Sequence, residues 1–341
     1  MEKKNIDWAN LSFAYQPADK RFSAVWRDGA WTELGLIDDP IVHISESAGV
    51  LQDAQTGFEG LKAYTTADGR VVCFRPDMNA KRMADTCDRL HMPVFPVDRF
   101  VAAVEAVVRA NLAWVPPFGS GASLYLRPFM YGSSPVLGVH AAAEYEFRIF
   151  CSPVGPYFKG GVKPLTLTVS DYDRAAPHGS GHIKAGLNYA MSLYPSYVAK
   201  GAGFAENMFL DSATHSKVEE TGGANFIFVT KDGGLVTPKS GTILPSITRR
   251  SLMQVASEML GLHTEEREVE LAELGDFMEC GLCGTAAVIS PVGCVNDHGK
   301  EIFFPSGMEK FGPVLQKLYD TLTGIQMGRI PGPQGWVHEI A

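Results

Sequence analysis

A single lysine, Lys184, lies within Gly179-Ser180-Gly181-His182-Ile183-Lys184-Ala185-Gly186-Leu187-Asn188-Tyr189-Ala190, among small and apolar residues. The glycines at 179, 181 and 186 suit a backbone that turns sharply and lets another group come close. In surroundings poor in water an ammonium is disfavoured. Such a lysine pairs with an acid, snorkels its head out to solvent, or is kept neutral as an amine nucleophile. Two further groups could do chemistry. Leu244-Pro245-Ser246 opens a helix whose first backbone N–H groups, those of Ile247 and Thr248, favour an anion through unpaired donors and the helix dipole. Cys280, Cys283, Cys294 and His298 have the spacing C-x2-C-x10-C-x3-H, which could supply zinc ligands, while Cys280 and Cys283 alone could form a redox pair. Buried structural thiols are the reading adopted, so no metal is expected. Glu219 and Glu220, taken alone, read as an exposed acidic pair.

The elements that must position these groups follow from pattern. Ala24 to Arg27 and Trp31 to Glu33 flank Asp28-Gly29, and Lys62 to Thr66 and Val71 to Phe74 flank Ala67-Asp68-Gly69-Arg70, so both read as hairpins. A helix is expected from Met78 to about Leu90, and a second from Arg99 to Leu112 with Asp98 as N-cap and Phe100, Val101, Val104, Val107 and Val108 as its core stripe. Ala122 to Arg127 and Tyr145 to Cys151 read as strands. The Pro- and Gly-rich run 153–161 then marks a connection. Beyond it come a strand from Leu165 to Ser170, a helix from about Asn188 to Lys200 interrupted by Pro195, and a strand from Lys217 to Glu219. A hairpin turning at Lys231-Asp232-Gly233-Gly234 follows. The helix after Ser246 carries Leu252, Val255, Ala256 and Met259 on one face and stops at Gly261, and a last helix spans Met308 to Leu322. The expected division is a small N-terminal domain over 1–152, an interdomain loop over 153–164, and a large domain over 165–341.

Composition narrows the class. The 341 residues are 45% hydrophobic and 20% charged, as in a compact globular protein. A formal charge of −8 disfavours nucleic acid or an anionic membrane as the main partner. There is no signal-like apolar core at the start and no run long enough to span a bilayer. A cytoplasmic protein is expected, with its six cysteines reduced.

The segment G-H-I-K-A-G-L-N-Y-A-M-S-L resembles the cofactor-lysine segment of the branched-chain aminotransferases, pyridoxal-phosphate (PLP) enzymes of fold type IV. Further motifs fall in the same order along nearly the whole chain: F-E-G-L-K-A-Y at 58–64, F-R-P followed by Asn79 and Arg82, Y-L-R-P at 125–128, P-V-G-P-Y-F at 153–158, E-T-G-G-A-N at 220–225, L-P-S-I-T-R at 244–249 and G-T-A-A at 284–287. The resemblance implies a two-domain fold of mixed α/β and α+β type, similar to D-amino-acid aminotransferase, with a small N-terminal α/β domain and a larger C-terminal domain with a β-barrel-like core. It implies that Lys184 carries PLP and moves the proton once freed. Glu220 would hold the ring nitrogen, chosen over Glu219 because Asn225 lies five residues after it. Arg82, Ile247, Thr248 and Thr285 would cradle the phosphate, and Tyr189 would meet the phenolic oxygen. For substrate, the implied residues are Phe58, Tyr125 and Tyr157 as walls, Arg127 for the distal carboxylate of glutamate, and the N–H groups of Thr285 and Ala286 for the α-carboxylate.

The implied reaction moves the amino group of leucine, isoleucine or valine to 2-oxoglutarate; the implied partners are amino acids and 2-oxo acids, and a second copy in a homodimer. One position departs from the pattern. Asp53 stands where the family usually has a tyrosine, so it either turns away, pairs with a cation, or signals a different side-chain preference. A D-amino-acid aminotransferase or lyase of the same fold, a cofactor-free Schiff-base enzyme and a non-catalytic domain are the alternative readings.

Overall fold

The computed structural model describes residues 2–155 and 163–341. The chain divides into two compact units, one formed by Met1–Tyr157, Ile183–Gly186 and Gly324–Ala341, the other by Phe158–His182 and Leu187–Thr323.

The first unit is organised by an eight-stranded sheet in which every ladder is antiparallel. Its strands are β1 (Arg21–Arg27), β2 (Ala30–Ile37), β3 (Thr56–Phe58), β4 (Leu61–Thr65), β5 (Val71–Phe74), β6 (Ser123–Gly132), β7 (Tyr145–Val154) and, from the C-terminus, a last strand (Val337–Glu339). The first expected hairpin forms because Asp28 and Gly29 both adopt positive φ, 52° and 78°, which matches the twist of the flanking strands. A short helix α1 (Gly49–Gln52) precedes β3. Helices α2 (Pro76–Arg89) and α3 (Val97–Ala110) follow β5. The stripe on α3 is buried as expected at Phe100, Val104, Val107 and Val108, where it joins Phe22, Leu124, Phe147 and Ile149 in one core. Asp98 is not the cap. Pro96 holds that place with its fixed extended geometry, and Asp98 sits inside the first turn, where its charge still complements the dipole.

The second unit carries a mixed eight-stranded sheet: β8 (Leu165–Val169), β9 (Glu206–Met208), β10 (Asn225–Val229), β11 (Leu235–Pro238), β12 (Thr264–Arg267), β13 (Glu279–Gly284), β14 (Val288–Asp297) and β15 (Lys300–Phe303). β8 runs parallel to both β14 and β9, and β11 parallel to β12; the other ladders are antiparallel. Phe226, Phe228, Phe277 and Phe304 lie at the centre of its core. Helix α3 is followed by α4 (Gly186–Gly201), α5 (Ile247–Gln254), which runs on as a π-turn over Val255–Met259, and α6 (Pro313–Gln326). Helix α4 continues through Pro195.

The two-domain mixed fold is the one expected, but the division into 1–152, a loop over 153–164 and 165–341 differs from the two units, each of which takes discontinuous stretches of the chain. The final strand, here β16, pairs with β5, and Ile340 is 1% exposed in the first unit's core, so the tail belongs to the first unit. Three local expectations also change. Lys217 to Glu219 is no regular strand but a set of isolated bridges, Leu210 with Val218 and Lys217 with Glu270. The last helix starts at Pro313 instead of Met308, because the carboxylate of Glu279 accepts from the N–H groups of Val314 and Leu315 at 3.0 and 2.9 Å and fixes the helix start there. Met259, expected on a buried face, is 38% exposed, since the π-turn rotates it off the stripe. No helix among the described residues is long and apolar enough to cross a membrane.

Candidate active site

In the first unit Lys184 is half-buried, and its main chain is held at both polar groups. Its N–H donates to Oγ1 of Thr86 on α2 at 3.0 Å, and its C=O accepts from the N–H of Phe58 on β3 at 3.0 Å. The adjoining bridge pairs Gly57 with Ala185. The Nζ lies 4.8 Å from the centroid of the Phe58 ring, within cation–π range. The guanidinium of Arg127 stands 4.7 Å from the Phe58 ring and 5.4 Å from that of Tyr125, and its Nη2 donates to the Tyr125 hydroxyl at 3.3 Å. The Nε of Arg127 is buried without a hydrogen-bond partner, a state that costs stability unless an acceptor arrives. Four sequence-predicted residues, Phe58, Tyr125, Arg127 and Lys184, are thus brought together.

Arg82 lies in the same unit but has an engagement the sequence reading did not give it. Its Nε and Nη2 donate to the two oxygens of Glu59, each at 2.7 Å, and Asn79 adds a third bond to Glu59 at 2.7 Å. Both side chains are buried, Arg82 at 9% and Glu59 at 0% exposure. A phosphate at Arg82 would therefore share the guanidinium with Glu59. The second residue of F-E-G was the available signal, because a buried glutamate needs a cation.

In the second unit Glu220 is buried and fully engaged. Its Oε1 accepts from Arg174 at 2.7 Å and from the N–H of Leu244 at 3.0 Å. Its Oε2 accepts from Asn225 at 2.8 Å. Asn225 also donates to the C=O of Leu244 at 3.2 Å. One piece of structure therefore carries both the acid and the approach to α5, whose N-cap Ser246 accepts from the N–H of Arg249. Ile247 and Thr248 occupy the first turn and are buried. Glu219 faces differently. Burial pushes its carboxyl above the usual range, opposed by the hydroxyls of Thr242 and Ser240. The two adjacent acids thus have unlike partners.

Arg174 was missed by sequence reasoning. Besides Glu220 it donates to the carbonyls of Gly181 and Thr242, and a Cβ at position 181 would stand 2.8 Å from its Nη2 and 2.1 Å from the Thr242 oxygen. Gly181 is needed for that close approach. Thr285 and Ala286 fall in the turn joining β13 to β14, half-buried, and Tyr189 is half-buried in the first turns of α4. Tyr157 lies outside the described residues. Asp53 is exposed at the end of α1, its N–H bonded to the C=O of Gly49 at 2.9 Å, so its carboxylate is not a buried charge.

All six cysteines are buried thiols. Cys280 and Cys283 are three apart on the extended β13, which puts their Cα atoms roughly 10 Å apart and their side chains on opposite faces. A disulfide needs less than about 7 Å. Burial also pushes the Cys283 thiol up to about 12, away from reactive thiolate.

Residues 56–294 match the family model described as amino-transferase class IV. A branched-chain-amino-acid aminotransferase of Haemophilus influenzae is 50% identical over 342 residues, 99% of each chain. Among solved structures, the Escherichia coli branched-chain amino acid aminotransferase superposes with a TM-score of 0.79 at 27% identity, covering 95% of this chain and 100% of that one. The branched-chain aminotransferase of Thermobaculum terrenum, solved in its PLP (holo) form, gives 0.77 at 26% identity, with 95% and 99% covered. With a family match across most of its length and a half-identical relative end to end, this chain belongs to the class IV aminotransferases.

Proposed function

We propose that the protein is a PLP-dependent aminotransferase that moves the amino group of leucine, isoleucine or valine to 2-oxoglutarate, as a cytoplasmic homodimer. The observation that carries the reading is the buried Glu220, ion-paired to Arg174 and tied by Asn225 to the start of α5. An acid and an anion-binding helix start, built on one piece, are what a phosphorylated pyridine demands.

PLP, when bound, supplies an aldehyde for the amine and a protonated ring that accepts electron density from the substrate Cα. The chain's own residues do the rest. Lys184 would hold the cofactor through its amine and, when free, would serve as the base that moves the proton at the substrate Cα. Glu220 would hold the ring nitrogen protonated by its negative charge. By the resemblance, the N–H groups of Ile247 and Thr248, the Thr285 hydroxyl and Arg82 would be the phosphate's donors, and Tyr189 would donate to the phenolic oxygen. Phe58 and Tyr125 give apolar walls for a branched side chain, with Tyr157 as a third. The orphaned Nε of Arg127 beside them suits the distal carboxylate of glutamate or 2-oxoglutarate, while the N–H groups of Thr285 and Ala286 suit the α-carboxylate. The exposure of Asp53 in the single chain fits the reading in which its carboxylate turns away from the side-chain pocket. The unpaired state of all six thiols fits a reducing compartment.

The test supplies L-leucine and D-alanine separately with 2-oxoglutarate and measures glutamate. Formation from leucine is expected; formation from D-alanine alone would reject the substrate class. Borohydride reduction of the PLP-saturated protein should leave a pyridoxyl group on Lys184, and sizing in solution should give twice the chain mass.

A further inference from the structure

The main chain of Lys184 is held by an element far from it in sequence. Thr86 is completely buried, with 0% exposure, and its Oγ1 accepts the Lys184 N–H at 3.0 Å across 98 residues. It stands one helical turn beyond Arg82 on α2, so both face the same way. The opposite side of the lysine is fixed by the Phe58 N–H on its carbonyl. Room for this arrangement comes from Gly57, where a Cβ would lie 2.6 Å from the Thr86 Cγ2.

We propose that Thr86 is a positioning residue for Lys184, its hydroxyl oxygen fixing the lysine backbone so that the amine at the end of the side chain meets its target in register. The inference rests on the reading of Lys184 as the cofactor lysine. The physical reason is leverage. The lysine stem carries Nζ roughly 6 Å from Cα, so a tilt of about 10° at the backbone moves the amine by about 1 Å, a displacement that can cost up to about a hundredfold in rate. Thr86 also satisfies a main-chain N–H that would be costly to leave unpaired at this depth.

The experiment compares wild type, Thr86→Val and Thr86→Ser. Valine keeps the shape and removes the acceptor; serine keeps the acceptor. Each is titrated as apoenzyme with PLP, which condenses with the lysine amine and releases water, and with pyridoxamine phosphate, which makes no bond to lysine. The half-reaction of each holoenzyme with L-leucine is then timed in a single turnover. Expected for Thr86→Val are a roughly tenfold weaker PLP affinity and a tenfold or greater slowing of the half-reaction, with pyridoxamine phosphate affinity unchanged. Thr86→Ser should restore both to within about threefold. Equal losses for the two cofactor forms would reduce Thr86 to a structural role and overturn the proposal, as would a serine variant no better than valine or a valine variant equal to wild type. Borohydride labelling of wild type keeps the premise separate: a pyridoxyl group away from Lys184 would remove the function reading itself, whatever the variants do.

Discussion

Replacing Glu59 by Gln should destabilise the protein far more than a surface substitution, because it strips one charge from a pair buried on both sides. Glu59 is 0% and Arg82 9% exposed, and the two are joined by a fork of 2.7 Å bonds. Amide for carboxylate keeps the shape but leaves the guanidinium without its counter-charge, a change worth about 3–5 kcal/mol in buried pairs. Urea denaturation of apo wild type, Glu59→Gln, Arg82→Met and the double variant measures it, with the slope checked for constancy. The double variant should recover at least half the loss, because no lone charge remains. PLP adds a second arm. If Arg82 shares its guanidinium with the phosphate, saturating cofactor should shrink the deficit of Glu59→Gln and leave that of Arg82→Met as large or larger. A Glu59→Gln deficit below about 1 kcal/mol would refute the buried-pair reasoning, and a deficit indifferent to PLP would remove Arg82 from the phosphate site.

Three other outcomes follow from the structure. Lys62 on β4 is held down to about 8 by burial, so the unfolded chain binds more protons than the folded one between about pH 8 and 10.5. Wild-type stability should therefore rise with pH across that window relative to Lys62→Met, by up to about 3 kcal/mol; a flat difference by pH-resolved urea unfolding would dismiss it. A Cβ at Gly312 would stand 2.1 Å from the Glu279 Cδ, so Gly312→Ala should lose about 2–3 kcal/mol by displacing the carboxylate that caps α6, readable in thermal unfolding. Native protein treated with a thiol oxidant should show no Cys280–Cys283 disulfide by mass spectrometry, and its detection would contradict the extended geometry of β13.

What the sequence disclosed was whatever its chemistry settles locally. The Asp28-Gly29 hairpin, the buried stripe of α3 and the Ser246 start of α5 each depend on residues within a few positions, and each was legible. The five-residue interval from Glu220 to Asn225, taken from the family resemblance, corresponds to a 2.8 Å bond between the two side chains. The helix errors have the same cause in reverse. Nothing near Met308 forbids a helix start there, whereas the true start is set by Glu279, 35 residues back along the chain from Val314.

The groups that hold the candidate site together could not be read this way. Arg174 meets Glu220, Glu59 meets Arg82 and Thr86 meets Lys184 only after the chain has folded back, and no periodicity connects such pairs. Their types were nevertheless constrained. A carboxylate or guanidinium at these depths needs a counter-charge, so once Glu220 and Arg82 are taken as buried, each obliges the chain to provide a partner from somewhere. That obligation runs only from burial to partner. The local pattern reads Glu219 and Glu220 as an exposed acidic pair, and an exposed acid demands no partner; their burial at 3% and 4% exposure is a tertiary fact, and the need for Arg174 follows only from it.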